Sequence, residues 1–232
     1  MKITEFVKAE ISGWQKVEVF GLFAVILFIL YNAFFLHDNF VAVFSAIFGI
    51  LYTIIAGKGK ISCYFFGLMG SGCYIWLSSQ NLLWGNTFLY LLYYIPMQIH
   101  GIFNWKDYLN PDTKEIVKIR LSAQERILLA LGCIVGCVIT VITLYNLQDS
   151  NPVIDGITTF LSIAGMYLTV RRAVEQWVVW IIVNGLSFLM WLGLVVNGTK
   201  AYSTLVMWGV YFVLAIYFYI VWQKDLRKSL SD

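Results

Sequence analysis

The sequence is dominated by eight apolar runs, each close to the length that crosses a lipid bilayer. They are Val19–Leu36, Phe40–Ala56, Ile61–Ser79, Leu82–Phe103, Ile127–Leu147, Val153–Val170, Val174–Val196 and Ala201–Trp222. A helix needs about 20 apolar residues to span the hydrocarbon core, where no water satisfies a non-helical backbone. We therefore predict an all-α integral membrane protein with eight transmembrane helices. The composition agrees, since 60% of the residues are hydrophobic and only 12% are charged.

The basic residues set the predicted orientation of these helices. All but one of the 16 Lys and Arg precede the first run or follow the second, fourth, sixth or eighth. These segments share one side of an eight-helix topology, and only Lys200 falls on the other side. Because cytoplasmic loops carry an excess of Lys and Arg, we expect both termini in the cytoplasm. The net charge of +3 reflects this asymmetry and does not indicate nucleic-acid binding.

The second to fourth runs resemble the sixth to eighth runs, which indicates an internal duplication. A shift of 113 residues places five positions of the third run (Tyr64, Gly67, Ser71, Tyr74 and Ser78) on five of the seventh (Trp177, Trp180, Asn184, Ser187 and Trp191). Beyond the seventh run the shift is 117, which places Tyr94 on Tyr211. We predict two parallel three-helix bundles related by a pseudo-twofold axis along the membrane normal.

The duplication divides the chain into five predicted segments. They are a cytoplasmic N-terminus with an extra first helix (1–38), the first bundle (39–105), a cytoplasmic amphipathic segment with a linker helix (106–148), the second bundle (149–222) and a cytoplasmic tail (223–232). We expect the amphipathic part, residues 110–126, to lie on the membrane surface. In the linker helix, Gly132 and Gly136 form a Gly-x-x-x-Gly pair that could face the bundles or another subunit.

An aromatic and amide stripe follows one side of the seventh helix. Trp177, Trp180 and Asn184 lie on it, within an arc of about 80°. Lipid would favour Leu or Val on every face, so we interpret the stripe as one wall of a substrate passage shared by both halves. The alternative is that the stripe packs the helices together.

The amide of Gln98 in the fourth helix shares an arc with Tyr94. Left without a partner in lipid, it would cost several kcal/mol, so we expect it to face the interior. There it forms a hydrogen bond either to a ligand or to a neighbouring helix.

The sequence lacks the residues that several other functions require. No carboxylate, Lys or Arg lies deep in any run, and Asp155 and Glu175 are expected at helix starts, stabilised by the helix dipole. This pattern favours an uncoupled uniporter, and without a Walker-type loop ATP does not drive it directly. His37 and His100 have no acid partner, so we predict no enzyme, no catalytic residue, no cofactor and no metal.

Three segments carry a resemblance to a known family: Lys60–Gly67, Gln98–Trp105 and Glu175–Asn184. They resemble the PnuC vitamin transporters, and the most specific element is the Trp-x-x-Trp-x-x-x-Asn pattern of the last segment. The resemblance implies a SWEET-like fold, a homotrimer, and facilitated diffusion of nicotinamide riboside across a bacterial inner membrane by alternating access. Phosphorylation inside the cell would then trap the substrate.

The alternatives are transport of another vitamin such as thiamine or, with less weight, a membrane scaffold or sensor, or a membrane-embedded enzyme. For nicotinamide riboside, stacking of the cationic pyridinium on Trp177 and Trp180 would contribute roughly 0.5–2 kcal/mol per ring. Asn184 and Gln98 would bind its carboxamide or ribose. The predicted substrate-binding residues are Gln98, Tyr94, Trp177, Trp180, Asn184, Ser71, Tyr64 and Tyr211.

Overall fold

The computed structural model describes residues 13–110, 115–149 and 151–228. Parts of the predicted N-terminal segment, the amphipathic segment and the C-terminal tail lie outside these ranges. The described residues form helices, with two isolated bridges and no strand. The prediction of an all-α membrane protein is confirmed at this level.

Nine α-helices follow one another along the described chain. They are α1 (Lys16–Phe35), α2 (Phe40–Gly57), α3 (Cys63–Gln80), α4 (Trp84–Leu89), α5 (Ile95–Asp107), α6 (Ala123–Asn146), α7 (Pro152–Val170), α8 (Gln176–Val196) and α9 (Tyr202–Lys228). A π-helical turn, Tyr90–Tyr94, joins α4 to α5 without a break. Pro96 stands in the first turn of α5, where it cannot donate a hydrogen bond to the preceding turn.

Six of these helices are long and apolar enough to cross a membrane: α1, α2, α6, α7, α8 and α9. The other two predicted spans are α3, whose three Gly and three Ser lower its hydropathy, and the fourth run, which the π turn divides. The count of eight membrane spans therefore stays a prediction.

The helices pack as two groups with matching contacts. In the first half, α2 packs on α3, and α3 packs on α4 and α5; in the second half, α7 packs on α8 and α8 packs on α9. Between the halves, α9 packs on α2, and α4 and α5 pack on α7. Exchanging the two halves converts one of these inter-half contacts into the other, as a pseudo-twofold axis requires.

The linker helix α6 lies against α7 of the second half. A Cβ atom on Gly136 would stand 2.0 Å from the Phe160 ring, and one on Gly156 would stand 2.8 Å from the Val141 backbone. A Cβ atom on Gly132 would meet nothing within 4 Å. Of the two alternatives for the glycine pair, Gly136 thus serves the contact with the bundle, whereas Gly132 faces open space.

Helices α1 and α6 begin in the same way, although they are the first and fifth spans and lie outside the duplicated runs. Each begins with a capping box. The carboxylate of its third helical residue, Glu18 or Glu125, accepts a hydrogen bond from the backbone amide of the N-cap residue. Glu18 also pairs with Lys58 at 2.7 Å and Glu125 with Arg171 at 3.1 Å. Lys58 and Arg171 are 113 residues apart, so the first and fifth spans hold equivalent turns of the two halves.

Residues 115–121 connect the two halves at their basic turns. The Ile116 amide donates to the Gly59 carbonyl at 3.1 Å, and the Ile119 amide donates to the Arg172 carbonyl at 3.0 Å. Gly59 and Arg172, also 113 residues apart, both have positive φ. Ile116 and Leu121 are buried within the protein. This stretch is therefore tied to both basic turns through their backbone carbonyls, and its position at the membrane surface stays a prediction.

Candidate functional site

A narrow cavity lies between the two halves. Helices α2 and α3, the fourth span, α7, α8 and α9 all contribute to its wall. Seven of the eight predicted binding residues line it: Ser71, Tyr94, Gln98, Trp177, Trp180, Asn184 and Tyr211. The structure thus brings together at one place side chains that are distant in sequence.

Tyr64 is the exception, because its ring is fully buried away from the cavity. It packs edge-on against Trp105, with 5.1 Å between the ring centroids. A Cβ atom on Gly101 would stand 2.3 Å from the Tyr64 ring, so the absence of a side chain there leaves a slot for the ring. The prediction that Tyr64 contacts the substrate is not supported by this position.

The Gln98 side chain is fixed between α5 and α3. Its Nε2 donates to Ser71 Oγ at 2.8 Å, whereas its Oε1 is buried and has no hydrogen-bond partner among the described residues. A Cβ atom on Gly67 would stand 3.1 Å from Oε1, so the glycine leaves room for this oxygen. One amide therefore makes the helix–helix bond and still offers a free acceptor.

Trp180 is held by a hydrogen bond at its indole nitrogen. Nε1 donates to Thr169 Oγ1 at 3.0 Å, and Thr169 in turn donates to the Gly165 carbonyl at 2.9 Å. Tyr94 meets the indole at 81°, with 6.4 Å between the ring centroids. Because these contacts fix the ring before any ligand arrives, little side-chain entropy is left to lose on binding.

Trp177 lies one turn nearer the start of α8 and is more deeply buried than Trp180. Its ring centroid lies 5.4 Å from that of Phe218 and 5.5 Å from that of Trp222. Its Nε1 is buried and has no partner among the described residues. Trp177 therefore combines a packing role with an available donor.

The cavity wall is aromatic and uncharged. Eight aromatic side chains line it: Tyr52, Tyr74, Tyr90, Tyr94, Trp177, Trp180, Trp208 and Tyr211. Its lining contains no Asp, Glu, Lys, Arg or His from the described part of the chain. Such a wall attracts a cation through ring quadrupoles, without an ion pair.

Three further polar groups at the wall have no partner among the described residues: the Tyr52 hydroxyl, Gln176 Nε2 and Trp208 Nε1. A buried donor left without a partner costs about 1–3 kcal/mol, so these groups are suited to bind ligand acceptors. Sequence reasoning missed all three. Tyr52 belongs to α2, which carries no obvious stripe, while Trp208 lies one turn before Tyr211 and the same face should have indicated it.

Glu175 does not enter the cavity. Its carboxylate accepts from the Leu121 amide at 3.2 Å and pairs with Arg126 at 2.9 Å. It occupies the N-cap position of α8, as expected for a residue at a helix start, but its side chain makes no capping hydrogen bond to that helix. Nearby, burial lowers the pKa of Arg172, whose guanidinium lies 3.6 Å from the centre of the Tyr108 ring.

Known proteins that this chain resembles in sequence are named as transporters. The sequence model of a family described as nicotinamide mononucleotide transporter matches residues 39–224. The chain is 31% identical over 230 residues to the nicotinamide riboside transporter PnuC of Neisseria mucosa, covering 93% of this chain and 88% of the relative. It is 30% identical over 226 residues to the Haemophilus influenzae protein of the same name, covering 94% and 95%.

A solved structure is also similar along the whole chain. The crystal structure of the vitamin B3 transporter PnuC matches with a TM-score of 0.87 and 30% identity. The match covers 98% of this chain and 99% of the other. The likeness therefore extends to α1, which lies before the segment that the family model matches.

Proposed function

We propose that this chain, which belongs to the nicotinamide mononucleotide transporter family, carries nicotinamide riboside across a bacterial inner membrane by facilitated diffusion. The relatives named above are transporters of this compound. The observation that carries the proposal is the aromatic, uncharged cavity between the two halves, with its unpaired polar groups.

The chemistry of nicotinamide riboside matches this cavity group by group. Its flat pyridinium cation would stack on an aromatic ring, and Trp180, whose indole is held in place, is the candidate surface. Its carboxamide N–H groups suit the unpaired Oε1 of Gln98, and its carboxamide and ribose oxygens suit donors such as Tyr52 and Gln176. Asn184 lines the same cavity and would complete the set.

The lack of charge also favours the riboside over the mononucleotide. A phosphate group carries negative charge, and burying an unpaired ion costs several kcal/mol. No Lys or Arg among the described residues lines the cavity to compensate. We therefore expect nicotinamide mononucleotide to be a poor substrate, and phosphorylation inside the cell would prevent the product from leaving.

The proposed mechanism is alternating access without ion coupling. Coupled carriers use carboxylates or basic side chains near the substrate, and no Asp, Glu, Lys, Arg or His of the described chain lines this cavity. We propose that the two halves rock about the cavity and open it to one side at a time. In the membrane we propose eight spans, both termini in the cytoplasm, and the homotrimer that the family resemblance implies.

Purified protein in liposomes tests the proposal. Labelled nicotinamide riboside should enter down its own gradient, and imposed proton or sodium gradients should not change the initial rate. Nicotinamide mononucleotide, thiamine and riboflavin should compete weakly. Thiamine also carries a flat cation, so stronger uptake of thiamine would reassign the substrate, and no flux of any vitamin would contradict transport.

A further inference from the structure

We propose that Asp38 and Asp155 are gating residues that hold the cavity closed at the end opposite the basic turns. This end faces the periplasm in the orientation given above. The inference rests on the proposed transport function, because a gate has meaning only for a protein that opens to both sides. Neither aspartate lines the cavity.

Asp38 connects the start of the first half to the last helix of the second half. It lies two residues before α2 and is buried. Its Oδ2 accepts a hydrogen bond of 2.6 Å from the amide of Ser203, the second residue of α9. Its Oδ1 accepts from the adjacent Asn39 amide at 2.9 Å. The carboxylate is therefore fixed at the start of α2 and is hydrogen-bonded to the start of α9.

Asp155 makes the reciprocal connection from the second half to the first. It lies in the first turn of α7, is fully buried, and accepts a hydrogen bond of 2.6 Å from Asn86 Nδ2 on α4. A Cβ atom on Gly85 would stand 2.8 Å from Asp155 Oδ2, so only glycine lets the two helices approach this closely. Oδ2 has no partner among the described residues.

The two contacts occupy similar places in the two halves, although Asp38 and Asp155 are not equivalent positions under the 113-residue shift that relates α2 to α7. Asn86 and Ser203 are 117 residues apart, which is the shift that relates the fourth span to α9. Each contact joins an acid at the start of one half to the start of the closing helix of the other half. A rocking motion that separates the halves at this end must break both contacts together. The two aspartates therefore act as a matched pair.

The opposite end of the cavity is held by a second matched pair. Trp105 Nε1 donates to the Thr169 carbonyl at 3.2 Å, and Trp222 Nε1 donates to the Gly57 carbonyl at 2.8 Å. The two tryptophans are again 117 residues apart. Each of these bonds joins an indole N–H to a backbone carbonyl, and together they close the end at the basic turns as the aspartate contacts close the other end.

Accessibility of one cysteine from each side of the membrane tests the gate. In a variant with Cys63, Cys73, Cys133 and Cys137 replaced by Ala, Ser45→Cys places a thiol in the cavity wall on α2. A membrane-impermeant methanethiosulfonate reagent, added outside to right-side-out vesicles, measures opening to that side. Asp38→Ala or Asp155→Ala should raise the labelling rate about tenfold, as loss of a hydrogen bond to a charged group predicts.

Three further single variants and one double variant fix the sign of the effect. Trp222→Phe removes the donor at the other end and should lower labelling from outside. Asn197→Ala should leave it unchanged, because its side-chain amide donates to the Gly193 carbonyl of its own helix and, among the described residues, to no other group. Asn86→Ala should act like Asp155→Ala, and the double variant should add nothing. Equal labelling in the aspartate variants and the parent would overturn the proposal.

The measurement separates failure of the gate from failure of the proposed function. Labelling is measured without substrate, so it reports opening even if the protein transports another compound. Size-exclusion chromatography and thermal unfolding of the same variants in detergent show whether each is still folded and assembled, without any substrate. If an alanine variant does not assemble, Asp155→Asn, which keeps the shape and loses the charge, should raise labelling by a smaller factor.

Discussion

Trp191 donates its indole N–H to the hydroxyl of Tyr74 across the interface between the halves, at 3.1 Å, and both side chains are buried. The two residues lie on equivalent helices, α8 and α3. Their counterparts under the duplication are Ser78 and Ser187, which cannot repeat the contact. Equivalent positions of the two halves therefore carry side chains of different size. At each of these two positions, a large ring in one half corresponds to a small serine in the other.

The indole of Trp180 should contribute most of the stacking energy. Trp180→Ala is expected to weaken nicotinamide riboside binding by at least tenfold without preventing assembly, since the ring contacts the cavity. Titration calorimetry measures the affinity. Trp76→Ala serves as the control because that indole is exposed on α3. Unchanged affinity in Trp180→Ala would remove the stacking hypothesis.

Thr169 should act on affinity only through Trp180. Thr169→Val keeps the volume and removes the hydroxyl that receives the indole N–H. We expect binding to weaken about three- to tenfold, which corresponds to the net value of one hydrogen bond. Combined with Trp180→Ala it should have no further effect, and additive losses would show that Thr169 has a separate role.

Gln98 should matter for its oxygen more than for its bond to Ser71. Gln98→Leu removes both and is expected to weaken binding by at least tenfold, because the ligand loses its acceptor. Ser71→Ala removes only the partner of Nε2 and should cost less. Comparable losses in both variants would mean that the helix–helix bond is the important one. Binding titrations of the two proteins decide between these outcomes.

Asn184→Leu should impair binding more than Asn197→Leu. Asn184 lines the cavity, whereas Asn197 caps the end of α8 and is exposed. Both changes remove one amide and add similar apolar volume, so the comparison isolates position. Equal effects on uptake and affinity would contradict a ligand role for the stripe on α8.

Gly136 should be a stability residue of the linker helix. Gly136→Ala places a methyl group against Phe160, and overpacking of this kind costs about 1–3 kcal/mol. Gly132→Ala faces open space and should be neutral or slightly stabilising, because alanine favours helix. Thermal unfolding in detergent should therefore show a lower Tm only for Gly136→Ala, and equal Tm values would reject the packing assignment.

The apolar runs and their spacing predicted the membrane class, the helical segments and the aromatic stripe. These properties follow from residues close in sequence, because the helix period and the hydrocarbon thickness are local constraints. Trp180 and Asn184 lie one turn apart, so their common orientation needed no tertiary information. The family resemblance added the substrate and the mechanism as expectations.

Only the tertiary structure decided how facing helices share the space between them. Tyr64 does not line the cavity, because its ring packs into the space that Gly101, on another helix, leaves open. Asp155 meets Asn86, and Asp38 meets Ser203, through approaches between helices that are far apart in sequence. Distances between helices depend on the side chains of both partners, and no single helix encodes them.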